Sequence, residues 1–285
     1  MRKTESINPE IATSLSGDAA LRAIQAQARY LFRPEEFGRL TGHESGSAAL
    51  KSALSRCSKR GRIALISKKP TAWLIVPPEH EHYGAPPVGW WLHDYLKDIE
   101  PHYYLALLSA ARHWGSGHYA LQATQIMVSS QRASQTIGRL RLDYTSKKNI
   151  DRTPVALVNT TVARMRVSTR EATLLDLIRH QTEIGGLEAI VRITHDFSSA
   201  LEMPSLVQAL DALDQTRAAQ RLGFVLEKLS QTKTAEAVDD WLQKKRRTLQ
   251  PLEVGESFKP NELVIDQRWG LTYAPSQLEI FEEVA

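Results

Sequence analysis

Three short helical patterns and then a β-hairpin pattern, all between residues 18 and 78, most constrain the fold of this 285-residue chain. Asp18 is suited to cap a first helix with apolar residues at i, i+3 and i+7. A brief second helix is predicted at 34–40, where a proline and two acids open it, and a third at 48–59. Two strands follow, on either side of KKPT at 68–71. This order is typical of a winged helix-turn-helix domain.

The third predicted helix has the composition of a DNA-recognition helix. Leu50 and Leu54 form one apolar stripe that can dock on the domain, while serines and basic residues occupy the other side. Small and donor side chains of this kind enter a major groove about 12 Å wide, and basic residues nearby reach phosphates. We therefore predict DNA contacts from these residues: Ser45, Ser47, Lys51, Ser52, Ser55, Arg56, Lys59, Arg60, Arg62, Lys68 and Lys69.

Charge is distributed unevenly along the chain. Residues 1–78 contain 13 Lys/Arg and 6 Asp/Glu, a net charge of +7. Because the whole chain carries only +4, the remaining residues carry −3. A serine- and lysine-rich helix alone is usually only a solvated surface. The helix order, the hairpin and the local charge together favour an anionic partner, double-stranded DNA.

The rest of the chain predicts a second domain of mixed helices and strands. We expect a loose arm at 1–17, a winged helix at 18–78, a polar linker at 79–87, an α/β domain at 88–250 and a tail at 251–285. The fold class is α/β (α+β), with a small sheet and a helical second half. An apolar helix is predicted at 103–114 and further elements are predicted as follows: strands at 123–128, 138–144, 155–159, 163–168, 263–265 and 269–273, and helices at 169–180, 186–194, 203–213, 216–229 and 234–247.

Signs of catalysis or of a bound metal are weak. Cys57 falls on the core side of the third helix, and His80 and His82 lie in the predicted linker without a Cys/His cluster. Asp143 with Lys147 is an incomplete match to a nuclease site, because a second carboxylate at metal-ligand spacing is missing. We expect no catalytic residue, no metal and no cofactor. No signal peptide is recognisable, and no apolar run approaches the roughly 18 residues of a membrane span.

Three blocks of the second domain carry a resemblance to a known family. They are YYLALLSAA at 103–111, VSTREATLLDLI at 167–178 and QRLGFVLE at 220–227. In this order and spacing, and after the predicted winged helix, they resemble the AbiE-type (AbiEi-like) antitoxins of type IV toxin–antitoxin systems, which act in abortive infection against phage. The resemblance extends from about Leu21 to Leu229.

This resemblance implies a cytoplasmic transcriptional regulator that is not an enzyme. Such a protein represses its own operon by binding repeated promoter sites through the winged helix. It also counteracts a nucleotidyltransferase toxin without a stable complex, and the C-terminal domain carries the antitoxin activity. Two alternatives remain: a nuclease or nucleotide-processing enzyme that the winged helix delivers to DNA, and a plain regulator whose second domain binds a small effector.

Overall fold

A computed structural model describes residues 14–118, 121–255 and 258–284. The chain divides into two compact units. The first unit contains the chain up to Tyr95 together with Thr136–Leu140 and Thr160–Ala163, and the second unit contains the rest. Helices and sheets are mixed, in agreement with the predicted α+β class.

The first unit begins with three helices and a three-stranded antiparallel sheet. Its elements in chain order are α1 (Gly17–Gln25), β1 (Leu31–Phe32), α2 (Pro34–Thr41), α3 (Ala48–Lys59), β2 (Ile63–Lys68) and β3 (Thr71–Ile75). The strand order is β1-β3-β2. Trp73 on the central strand lies opposite Phe32 on one side and Leu65 on the other. The sequence predicts the hairpin of β2 and β3 but not β1, which adds a third strand to it.

An apolar core joins the helices to this sheet. Phe37 from α2 is fully buried, and Leu21 and Ile24 from α1 pack into the same cluster. The cluster also contains Leu50 from α3 and Phe32 from β1. Each helix therefore contributes one apolar stripe, which is the arrangement that their sequence periodicity predicts.

The start of α1 differs from the prediction. Ser16, and not Asp18, caps the helix, because the Ser16 Oγ accepts a hydrogen bond of 3.3 Å from the Ala19 N–H. Asp18 lies in the first turn, where its negative charge stabilises the positive end of the helix dipole. Of the predicted arm, residues 1–13 lie outside the described residues.

The predicted linker, residues 79–87, is included in the first compact unit. A 3-10 helix at Pro78–His80 opens it, and Ala85 is buried. After it come a second 3-10 helix at Val88–Trp90 and α4 at Leu92–Leu96. The Trp90 ring packs on Tyr30, with centroids 4.7 Å apart. Aromatic packing of this kind extends the unit past Pro78, where composition alone predicts a boundary.

The second unit opens with a mixed sheet. The strands of this sheet are β4 (Tyr104–Leu105), β5 (Thr124–Val128), β6 (Gln135–Ile137), β7 (Leu140–Ser146), β8 (Val155–Asn159) and β9 (Arg164–Ser168), with α5 (Leu107–His113) between β4 and β5. Most of β6 and the first residue of β7 belong to the segment Thr136–Leu140, which is grouped with the first unit. The strand order is β6-β7-β5-β4-β9-β8. The predicted helix at 103–114 is wrong in its first turn. Tyr104 and Leu105 instead pair with β5, and Leu105 also pairs with β9.

Helices form the remainder of the second unit, as predicted. They are α6 (Arg170–Arg179), α7 (Gln181–Ile184), α8 (Gly186–Phe197), α9 (Met203–Leu213), α10 (Thr216–Lys228) and α11 (Thr232–Leu242). The last elements are β10 (Gln250–Pro251), β11 (Val264–Asp266), β12 (Leu271–Tyr273) and α12 (Glu279–Val284). The two strands predicted in the tail are confirmed as β11 and β12. Trp269 and Leu271 are fully buried, so this tail is part of the core of the second unit.

Candidate nucleic-acid interface

The residues around α3 determine which side of this helix meets solvent. Gly46 has φ +75°, a conformation that favours glycine, and it leads into the helix cap. The Ser47 Oγ caps α3 by accepting a hydrogen bond of 3.1 Å from the Leu50 N–H. Leu50 and Leu54 are buried, as the sequence predicts, with Ala53 and Cys57 beside them. The opposite side of the helix is therefore left to solvent.

The exposed side of α3 carries the predicted recognition residues. Lys51, Ser52, Ser55, Arg56 and Lys59 are all exposed. Within the described ranges, none of the three basic residues among them forms an ion pair. The hydroxyls and cationic groups of these side chains are thus available to an external ligand.

The tip of the β2–β3 hairpin adds two further basic side chains. Lys68 lies opposite Thr71, and the Thr71 Oγ1 donates a hydrogen bond of 3.0 Å to the Lys68 carbonyl. This bond closes the turn locally. Lys68 and Lys69 are exposed, and neither has an acidic partner in the part of the chain that the structure describes.

Two predicted contact residues already bind carboxylates of their own unit. An Arg60 Nη lies 3.3 Å from the Asp18 carboxylate, and an Arg62 Nη lies 3.3 Å from Glu81. These pairs reduce the positive charge that Arg60 and Arg62 present. Ser45 is exposed in the loop before α3. Of the predicted contact residues, the basic ones without an ion pair among the described residues therefore lie on α3 and the hairpin tip.

A groove runs along one flank of α3. Its volume is about 500 Å³, and residues of α3, β3, the start of α2 and the loop before α3 line it. The apolar part of the lining includes Leu50, Leu54 and Trp73, and the charged part includes Lys51 and Lys59. The groove therefore shares two lysines with the exposed face of the helix.

The residues weighed above for catalysis or metal binding make structural contacts instead. Arg141 Nε lies 2.9 Å from the Asp143 carboxylate, whereas Lys147 is buried against a different acid. Cys57 is buried, and His80 packs edge-on against Trp90. Among the described residues, no three His, Cys, Asp or Glu side chains converge as a candidate metal site.

The second unit contains a buried polar cluster that the sequence does not predict. Lys147 Nζ donates hydrogen bonds to Asp176 Oδ1 at 2.6 Å and to the Tyr104 hydroxyl at 2.8 Å. The Tyr104 hydroxyl in turn donates to Asp176 Oδ2 at 2.7 Å. Burial and the neighbouring Asp176 charge raise the pKa of Tyr104 well above its ordinary value. The one signal in the sequence is an acid inside the apolar run LLDLI.

Part of the second unit matches a known domain family. Residues 104–228 match the family model of the AbiEi antitoxin C-terminal domain. The chain contains an AbiEi antitoxin C-terminal domain. The match begins at Tyr104 and contains Lys147 and Asp176, so the buried polar cluster lies inside the AbiEi domain.

A solved structure shares the fold over almost the whole chain. The chain is similar to the RV2827C protein from Mycobacterium tuberculosis, with a TM-score of 0.64 and 16% sequence identity. The likeness covers 96% of this chain and 97% of that chain. No curated protein matches the sequence. In the residues that the structure describes, every helix is too short or too polar to cross a membrane.

Proposed function

We propose that the first unit is a winged helix-turn-helix domain that binds double-stranded DNA through α3 and the β2–β3 tip. One observation carries the proposal: five basic side chains on these two elements are exposed and lack an acidic partner among the described residues. They are Lys51, Arg56, Lys59, Lys68 and Lys69. Elsewhere in the unit Arg29, Arg60 and Arg62 form ion pairs, whereas Arg22, Arg33, Arg39 and Arg139 are exposed on other elements. A concentration of free cations on a small-residue helix and a hairpin tip suits a phosphate backbone.

We further infer that this antitoxin is a cytoplasmic repressor of its own type IV toxin–antitoxin operon, active in phage defence. It binds repeated promoter sites and counteracts a nucleotidyltransferase toxin without a stable complex. The AbiEi domain supports the antitoxin role, and the basic surface of the first unit supports the repressor role.

Binding of the full chain to its own promoter tests the first proposal. Fluorescence anisotropy should show tighter binding to the promoter than to a shuffled duplex of equal length and composition. Equal affinity for the two duplexes at several salt concentrations would remove sequence-specific repression from the proposal.

Co-expression tests the second proposal. The full chain should restore growth of cells that express a nucleotidyltransferase encoded beside it. A variant with Lys51, Lys68 and Lys69 changed to alanine should lose repression of a promoter reporter but retain this rescue, because the AbiEi domain is intact. Loss of rescue in a folded triple variant would show that the two activities are not separable in this way.

The hairpin lysines should contribute affinity without sequence preference. Changing Lys68 and Lys69 to alanine should weaken binding to all duplexes alike, because phosphates carry no sequence information. Each lost phosphate contact should lower the slope of log K against log salt by about 0.9. An unchanged slope in anisotropy titrations would exclude the hairpin tip from the interface.

Lys51 and Leu50 are neighbours that should have opposite roles. Lys51→Ala should cost roughly 1–3 kcal/mol at a preferred promoter site and relax the preference there, because Lys51 is the one long donor near the start of α3. Leu50→Ala should instead lower the free energy of unfolding by about 2–5 kcal/mol, because it empties a core position. Competition binding measures the first effect, and urea unfolding measures the second. A folded Lys51→Ala variant with full promoter discrimination would mean that another face of α3 reads the bases.

A further inference from the structure

The groove beside α3 has the dimensions of a small-molecule site. Its volume is about 500 Å³, and it lies between α3, β3 and the start of α2. Ligand sites of proteins have volumes of roughly 300–1,000 Å³ and combine an apolar lining with a few polar groups. The DNA contacts proposed for α3 do not explain why a cleft of this size lies beside its basic face.

The lining defines the chemistry of an occupant. Trp73 is partly exposed and provides an aromatic surface against which a flat ring can pack, whereas Leu50 and Leu54 are nearly fully buried and add little apolar area. Lys51 and Lys59 line the same groove, and among the described residues Glu35 is the one acid of its lining. With two cations against one acid, the charge favours an anion.

Trp73, which lines the groove, also carries an unpaired donor. Its indole Nε1 is buried and has no hydrogen-bond acceptor in the part of the chain that the structure describes. Buried polar groups of folded proteins are nearly always paired. The unpaired N–H makes the Trp73 indole a direct reporter of changes beside the groove.

We propose that the groove binds a small aromatic anion, with the ring against Trp73 and the acidic group near Lys51 and Lys59. Lys51 and Lys59 also belong to the proposed DNA-binding face. A molecule in the groove therefore competes with DNA for these lysines, so that it acts as an inducer. The competition rests on the proposed function, whereas the binding site itself does not.

The dye 1-anilinonaphthalene-8-sulfonate, an aromatic anion, is a suitable probe for the full chain. In ¹⁵N–¹H spectra, titration with the dye should move the Trp73 indole resonance saturably. The resonance is assigned by its absence in a Trp73→Phe variant. The resonance of the fully buried Trp269 should stay in place. A Trp73 resonance that does not move, or that moves without saturation, would overturn the site.

Two matched substitutions on α3 test the location. Ser58 lines the groove but is not among the predicted DNA contacts, so Ser58→Leu should fill the site and weaken dye binding by about tenfold or more. Ala49 is exposed on the same helix and does not line the groove, so Ala49→Leu should leave the dye affinity unchanged. Equal weakening by both substitutions, or by neither, would contradict the proposed site.

A DNA-binding experiment distinguishes ligand binding in the groove from the proposed effect of that ligand on DNA binding. Saturating dye should raise the Kd of the wild-type chain for promoter DNA by at least about fivefold, and should leave that of Ser58→Leu unchanged. Failure of the dye-free chain to bind DNA would refute the proposed function, while the Trp73 resonance would still report on the groove. Unchanged DNA affinity with the groove occupied would refute the competition.

Discussion

Replacing Gly223 by alanine should destabilise the second unit by about 3 kcal/mol or more, at or beyond the upper end of the usual cost of overpacking. A Cβ on Gly223 would lie 1.9 Å from Cζ3 of the Trp269 ring and 2.3 Å from Cη2. In an exposed helix the same change gains about 1 kcal/mol of helix propensity, so the clash must exceed this gain before any loss appears. Urea unfolding of the full chain, followed by circular dichroism, measures the difference.

The Trp269 ring has little freedom to move away from the new methyl group. Its Nε1 donates to the Glu227 carboxylate at 3.1 Å, and its backbone carbonyl accepts from Gln220 Nε2 at 2.7 Å. The backbone N–H of Trp269 donates to Asp266 at 2.8 Å. These three hydrogen bonds hold both the ring and the backbone of Trp269. A movement of the ring away from the new methyl group would break at least one of them.

A control and a double variant make the Gly223 result specific. Gly117→Ala should change the unfolding free energy by less than about 0.5 kcal/mol, because no atom of the described residues lies within 4 Å of its Cβ position and its φ is not left-handed. The Gly223→Ala change should cost much less when Trp269 is already alanine, since the clash is then absent. Additive costs would show that the ring does not lie against Gly223.

Sequence periodicity predicts those features of the fold that depend on neighbouring residues. The buried and exposed sides of α3 follow from the spacing of Leu50 and Leu54, and its cap follows from Ser47. Most helices of the second unit begin and end within a few residues of their predicted bounds, because caps and apolar stripes are local signals. The hairpin of β2 and β3 is predicted for the same reason.

Features that depend on distant residues are missing from the prediction. Tyr104 and Leu105 belong to an apolar run that also suits a helix, and only pairing with β5 and β9 makes them a strand. Glycine is unfavourable inside a helix, and only the close approach of the Trp269 ring explains why position 223 has no side chain. For the candidate interface, the types of side chain on α3 are predictable, but the Asp18 and Glu81 partners of Arg60 and Arg62 are not.

The acid inside the apolar helix α6 is the clearest case of a residue that only the fold explains. Asp176 is fully buried, and both of its carboxylate oxygens accept hydrogen bonds, one from Lys147 and the other from Tyr104. Lys147 is itself buried. The two charges are tolerated in the core because each one neutralises the other.

Asp176→Ala should therefore cost about 3–5 kcal/mol of unfolding free energy, because Lys147 is left as an unpaired buried charge. Tyr104→Phe, which removes one hydroxyl and leaves the ion pair, should cost only about 1–3 kcal/mol. Glu188→Ala is the matched control: its exposed ion pair with Arg192 at 2.9 Å should contribute less than about 0.5 kcal/mol. Urea unfolding of the full chain measures all three.

A double replacement distinguishes a lost interaction from an uncompensated charge. Changing Asp176 to leucine and Lys147 to methionine together removes both charges and keeps the side-chain volume. The double variant should be more stable than Asp176→Ala by about 1–4 kcal/mol, because a buried ion pair can be replaced by apolar residues at little cost. If the double variant is instead as unstable as Asp176→Ala, the penalty comes from lost packing and hydrogen bonds, and the charge of Lys147 is not its cause.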